Sequence, residues 1–422
     1  MKKALSFVLV LSLVLSLGTI SALASQKVEI SFWKQLFEEF DQEWTRTMVD
    51  EFNAQSQTVQ VNLEFVDGGA LTERMTAARA AGTAPDVYMV NYSNLATDVR
   101  EGYNLPTTSL IPEEAYADLY DNVREMVTFN GEVYGYPHLL EPAAVMYYRK
   151  DLLAAAGFDA PPKTWQEHID MAKVLTTDDV FGTTMTMDWS MWGWEHTAIG
   201  QWPLTEDWSA AQVEGLAPLL NYIKQLYDDE SAPAQPLDHY NGSASLGAND
   251  SAAISFSGSW GIGAIRNDWP EMVDLIGVAA VPTEDGRPFQ STMGGWTYQI
   301  DAKSKHPEAA AEFITWLLAS DPSRPAAFFE GARFSKYAVR KSVDQWLIEN
   351  TDAAQDEWMQ TVARDVIPYG IKEPTYPWEV SAFLLAAMNE VVINGVPAEE
   401  ALATAAAEIN TFIQNSNLKK PQ

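Results

Sequence analysis

Between residues 28 and 90 the chain spells out strand, helix, strand, helix and strand in close succession, and few folds accept that pattern. Val59, Val61, Leu63 and Phe65 alternate with Gln60, Asn62 and Glu64, the period-two signature of a half-buried strand. Residues 28–33 precede it as a strand, and 86–90 follow as a short apolar one. Between them, 42–55 carries Trp44, Met48 and Phe52 on one helical face, and 71–81 carries Leu71, Met75 and Ala78 in phase. Strands separated by helices pair in parallel through crossovers, so the predicted class is α/β. The alternation continues with strands at 144–148, 252–256 and 275–281. Thr164 and Glu167 form a capping box, behind which Trp165, Ile169 and Ala172 line a helix. Ala310, Phe313, Ile314, Leu317 and Leu318 make a further stripe. A last helix opens behind Pro397, with Glu399 and Glu400 in its first turn. At 422 residues the chain exceeds one ordinary domain. It shows no repeat or long linker, which predicts two α/β lobes joined by several short crossings.

The first 24 residues read differently. Lys2 and Lys3 are followed by an almost unbroken apolar run to Ile20, and Ala22-Leu23-Ala24 offers small residues for cleavage. This is the pattern of a secretory signal peptide, and the mature chain is expected to start near Ser25 as a soluble protein. Cysteine is absent, which excludes disulfides, thiol chemistry and a lipid anchor on cysteine. A secreted, unanchored chain is expected in a periplasm. The formal net charge is −31. Taking Lys2 and Lys3 from the 27 basic residues leaves 25 against 58 acidic, or −33. Such a field repels nucleic acid and disfavours a strongly anionic ligand.

Enzyme signatures are missing. There is no Gly-x-Ser-x-Gly elbow, phosphate loop or dinucleotide fingerprint, so no catalytic residue and no cofactor is expected. The five histidines, His138, His168, His196, His239 and His306, show no metal-ligand spacing, and no metal is expected. Acidic residues are frequent enough that a glycosidase pair stays open as an alternative. The 15 tryptophans are the more telling feature. Trp44, Trp165 and Trp316 sit in helical stripes and read as core. Trp33, Trp189, Trp192, Trp194, Trp260, Trp296 and Trp378 stand outside such stripes, many beside glycine or proline. A flat indole suits the C–H faces of a sugar ring, with nearby polar groups for its hydroxyls.

Several stretches, taken in order, carry a family resemblance: Gly82-Thr83-Ala84-Pro85-Asp86-Val87; Gly135-Tyr136-Pro137; Met146-Tyr147-Tyr148-Arg149-Lys150-Asp151-Leu152; Pro161-Pro162-Lys163-Thr164-Trp165; Ser257-Gly258-Ser259-Trp260; and Gly294-Gly295-Trp296. With these the chain resembles the bacterial extracellular solute-binding proteins of carbohydrate ABC importers, of the maltose-binding and glycerol-phosphate-binding type. The resemblance implies a type II periplasmic binding protein fold with a ligand cleft between two lobes. By position, lobe one would comprise 25–137 and 283–319, and lobe two 138–282 and 320–422, with crossings near Pro137, Pro282 and Ser320. It implies a monomer that closes by a hinge on a carbohydrate and delivers it to membrane permease subunits. A polyamine or glycerophosphodiester ligand is the alternative, although the candidate loops hold few arginines or lysines. Arg149 departs from the asparagine common in the family. The expected ligand residues are Trp33, Glu38, Asp41, Asn91, Glu141, Trp192, Trp260, Trp296 and Trp378, with Trp260 and Trp296 resting on matched motifs and the carboxylates and Asn91 on loop position and chemistry.

Overall fold

The computed structural model describes residues 27–185, 193–233, 246 and 251–420; the expected leader and Trp192 lie outside the described residues. In chain order the first elements are β1 (Val28–Gln35), α1 (Glu39–Gln55), β2 (Val59–Val66), α2 (Gly68–Ala81), β3 (Val87–Asn91) and α3 (Tyr92–Arg100). They are followed by β4 (Tyr136–Pro142), β5 (Val145–Arg149), α4 (Trp165–Leu175), α5 (Ala217–Asp228), β6 (Ile254–Ser257), α6 (Trp260–Asp268) and β7 (Ile276–Ala279). The chain ends through β8 (Thr292–Ile300), α7 (Pro307–Ile314), α8 (Ser323–Gly331), α9 (Glu357–Asp365), β9 (Ile371–Lys372), α10 (Trp378–Val392) and α11 (Ala398–Ser416).

Two sheets result. In the first, β1 pairs in parallel with β2 from Val28↔Val59 to Gln35↔Val66, and with β3 at Phe32↔Val87. β8 lies antiparallel to β3 and β4, and its first residues pair in parallel with β9. The parallel crossover units expected from residues 28–90 are therefore present, and β8 returns from far along the chain to complete the sheet. The second sheet is smaller, with β5 between β6 and β7, both antiparallel.

The apolar stripes find the partners their spacing requires. Phe32 of β1, Phe52 of α1 and Phe313 of α7 meet with ring centroids 5.2–5.5 Å apart, and burying each ring contributes roughly 1.5–3 kcal/mol. The Thr164 side chain accepts from Glu167 N–H, and the Glu167 carboxyl accepts from Thr164 N–H, so the capping box forms. Trp165 and Tyr222 of α5 stack at 4.9 Å in the second lobe. The stripe over 308–318 forms α7 and then widens into a π-helical turn, Thr315–Ser320.

The crossings gather at one place. β4 pairs with β8 through Pro137, with a register shift that skips His138, and the chain leaves the first sheet only at Ala143–Ala144. Ala143 N–H donates to Thr292 O, Ala144 N–H to Ser291 Oγ, and Ile371 N–H to Ser291 O, at 2.9–3.0 Å. Three segments thus cross side by side, near residues 143, 291 and 371. Thr283, close to the expected crossing at Pro282, still pairs with Thr164 in the second lobe. No crossing falls at Ser320. The next helix, α8, packs on α1 of the first lobe, where the Trp44 indole N–H donates to Arg324 O at 3.0 Å. Apolar burial overrides chain order here, because Phe328 supplies the ring against which Trp44 packs edge-on at 5.2 Å.

Candidate functional site

Strand polarity decides which side chains share an edge. β1 and β3 are parallel, β8 opposes β3, and β4 opposes β8. The ends of β1, β3 and β4 and the starts of β8 and β9 therefore lie along one edge of the first sheet, where open α/β sheets hold ligands. In the second sheet, Val145 begins β5 straight after the crossing and pairs with Ser257, the last residue of β6. The start of α6 at Trp260 thus lies on the crossing side of its lobe.

The edge of the first sheet is charged. Glu141, near the end of β4, is buried and accepts from Lys336 Nζ at 2.5 Å. The same ammonium lies 3.7 Å from Glu38, a half-exposed residue in the loop after β1. Lys336 follows a turn in which Arg333 and Phe334 both hold positive φ, 53° and 54°. Two consecutive non-glycine residues in this region are strained, and such strain persists only where the surroundings enforce it. Here Phe334 N–H donates to Phe329 O at 3.0 Å and Arg266 binds the Arg333 carbonyl. The turn aims Lys336 at the rim. Asn91 ends β3 and caps α3, its side chain accepting from Asn94 N–H at 3.0 Å. Trp296 lies opposite Asn91 on β8, with Phe37 against it edge-on at 4.9 Å. Gly295 beside it adopts φ 140°, and a Cβ there would come within 2.1 Å of Leu139 O, so this close strand pairing admits only glycine.

The second lobe answers with aromatic surface. The Trp260 indole folds back over Gly258, where a Cβ would stand 2.1 Å from the ring. Ser259 N–H donates to Pro142 O at 2.9 Å, tying the start of α6 to the crossing. Trp378 opens α10 and is 49% exposed, so its face is available to a partner.

Two expected residues do not join the rim. Asp41 is buried beneath it and contacts the fully buried Lys34 at 2.5 Å, with Thr45 also bonded to Lys34. Burial pushes Lys34 down and Asp41 up, and their contact opposes both shifts. Trp33 packs on the opposite face of β1 from Phe32, with the Arg74 guanidinium 4.3 Å above its ring. Period-two alternation explains this, because the neighbour of a core residue must point the other way. Beside the Lys34–Asp41 pair, His138 stacks on Trp44 at 5.1 Å. Burial, aided by Lys34 and Lys336, holds its imidazole well below the ordinary range, so it is neutral at pH 7.

Lys336, Phe37, Ser93 and Glu373 come to the rim without having been expected there. Lys336 is nearly 200 positions from Glu141, at a separation of 195. Its one local signal is an isolated lysine within Arg333-Phe334-Ser335-Lys336-Tyr337.

Two α/β sheets joined by three adjacent crossings, with a charged edge turned toward an aromatic one, define the two-lobed solute-binding class of fold. The chain belongs to the bacterial extracellular solute-binding protein family, whose profile matches residues 25–322. A probable ABC transporter-binding protein of Deinococcus radiodurans is 24% identical over 288 residues, 64% of this chain and 66% of that protein. A maltooligosaccharide ABC transporter solute-binding lipoprotein of Streptococcus pneumoniae is 25% identical over 282 residues, 63% of each chain. The match therefore spans just under two thirds of the length of these curated relatives. The sugar-binding protein MalE of Xanthomonas citri has a TM-score of 0.76 at 20% identity, covering 92% of this chain and 98% of that one. The GacH receptor of Streptomyces glaucescens, solved unliganded and with acarbose, has a TM-score of 0.75 at 20% identity, covering 92% and 99%. Both likenesses show the fold. Among the described residues no helix is long and apolar enough to cross a membrane.

Proposed function

We propose that this protein captures a mono- or oligosaccharide between its lobes and presents it, without turnover, to the membrane subunits of an ABC importer. The observation that carries this reading is the division of the two facing edges. Glu38, Asn91, Glu141 and Lys336 offer hydrogen-bonding partners for hydroxyls, and Trp260 and Trp378 offer ring faces. Trp296 adds an aromatic from the charged side. Relatives and fold neighbours that handle maltooligosaccharide and acarbose support the sugar class.

The protein acts as a monomer, in a periplasm, after removal of its leader near Ala24. Its lobes move about the three crossings near residues 143, 291 and 371. A ligand touching both lobes favours the closed arrangement and shifts the population toward it. The acidic surface keeps nucleic acid away. A thermal-shift screen against neutral mono- and oligosaccharides tests the reading, because a ligand that binds only the folded state raises the melting temperature. Small-angle scattering with the best sugar should then show a smaller radius of gyration. No stabilisation by any sugar, or release of shortened products, would overturn it.

A further inference from the structure

Glu373 follows β9 directly, where the third crossing leaves the first sheet. Its Oε2 accepts the backbone N–H of Ser93, in the first turn of α3, at 3.2 Å. Its Oε1 lies over Gly294, 3.2 Å from where a Cβ would stand. The side chain is partly exposed at the rim. Three groups face it: the Glu141 carboxylate from β4, the Tyr92 phenol from α3, and behind Glu141 its partner Lys336. The adjacent Lys372 turns away to Glu125, donating to its backbone oxygen at 3.1 Å. Among the described residues no cation pairs with Glu373. Burial, and beyond it the charge of Glu141, raises this carboxyl to about 7 against the Ser93 hydrogen bond.

We propose that Glu373 is a specificity-determining ligand contact that binds in its protonated form, donating a hydrogen bond from Oε1 to an uncharged, hydroxyl-bearing ligand. This deepens the sugar reading and rests on it. A neutral ligand closing over Oε1 removes water and supplies no countercharge, while Glu141 stays close. Ionised Glu373 is then penalised, because a desolvated charge without a partner is costly. Binding takes up a proton. If only the protonated form is competent, about one molecule in eleven remains competent at pH 8, and Kd rises about tenfold over its value at pH 5.5. A cationic ligand would act in the opposite sense, pairing with the carboxylate and binding more tightly as pH rises.

The test begins with a thermal-shift panel of neutral sugars, maltotriose among them, at pH 5.5 and pH 8. Calorimetry of the best sugar follows at both pH values, in buffers of different ionisation enthalpy, with the wild type and Glu373→Gln. The expected result is proton uptake, roughly tenfold weaker wild-type binding at pH 8, and a Glu373→Gln protein that binds at pH 8 as the wild type does at pH 5.5. A wild-type Kd that ignores pH, or a pH dependence that survives in Glu373→Gln, overturns the role of Glu373 and leaves the sugar reading standing. Tightening with rising pH overturns it, because the ionised carboxylate would then be the form that takes the sugar hydroxyl. No response to any sugar at either pH overturns the sugar reading and this inference together. Should Glu373→Gln not fold, the proton uptake measured on the wild type decides alone.

Discussion

The two edges that face each other across the crossings are built from different chemistry on different frames. The first lobe carries its charges on a six-stranded sheet, and its buried ion pairs join strand residues to partners near and far along the chain. Glu141 meets Lys336 across 195 positions, while Lys34 and Asp41 meet at the first strand and its following helix. The second lobe has three strands and contributes indole surface instead. A buried carboxyl of this lobe, Glu195 in the short helix Trp194–Ile199, has no cation beside it among the described residues; only its own backbone N–H and the Tyr376 hydroxyl favour its charge. The lesson concerns cost. A charge can be held out of water only where partners are fixed around it, and the larger lobe supplies such partners. An indole needs only a firm base, which Gly258 and the start of α6 provide.

The comparison breaks most readily at Lys336. Replacing it with methionine strands the buried Glu141 carboxylate, and removing one partner of a buried pair costs about 3–5 kcal/mol. Chemical denaturation of Lys336→Met should show that loss, and the double variant with Glu141→Gln should recover most of it. A single variant within about 1 kcal/mol of the wild type would mean that the pair is not held as described.

A smaller effect is expected on the aromatic side, and in binding. Trp260→Ala removes a pocket anchor, which typically costs about 2 kcal/mol, some thirtyfold in affinity. Calorimetry on protein whose circular dichroism is unchanged checks this. Unaltered affinity would reassign Trp260 to the core of its lobe.

The smallest effect sharpens the contrast between paired and unpaired carboxyls. Burial drives Glu195 well above the usual carboxylate range, against the pull of its own backbone N–H and the Tyr376 hydroxyl. A carboxyl raised in the folded state favours folding below its unfolded value, about 4.3, and that stability is lost as pH climbs toward the folded value. Glu195→Gln has no such loss. It should be more stable than the wild type at pH 8, by about 1 kcal/mol, with the gap closing as pH falls below about 4.3. Melting curves that run parallel from pH 4 to pH 8 would show that Glu195 does not titrate as its burial implies.

Much of the fold was legible in the chain. Alternation in 59–65, the stripes of Trp44, Met48 and Phe52, and the Thr164–Glu167 capping box are local patterns, and each appears where its period demands. Trp260 stands at the rim because a glycine-rich turn is local too, whereas Glu141, assigned to a loop, stands inside β4, a strand not expected from the sequence. Trp33 and Asp41 were placed by a local cue as well: Trp33 stands near the end of β1 and Asp41 in the first turn of α1, but their side chains turn to Arg74 and Lys34. A loop assignment carries no direction for a side chain, and a one-residue change of phase moves it to the other face.

By itself, the sequence determined which segments become strands and helices, which faces of them must be covered, and that the chain belongs among two-lobed binding proteins. Only the tertiary structure decided where the three crossings meet, that α8 returns to the first lobe, and that Lys336 and Glu373 stand beside Glu141. The division follows from the range of the forces. Periodicity and capping act over a few residues and are written in neighbouring letters. The pairing of a buried charge depends on which distant segments the packed core brings together, and that information exists only once the chain has folded.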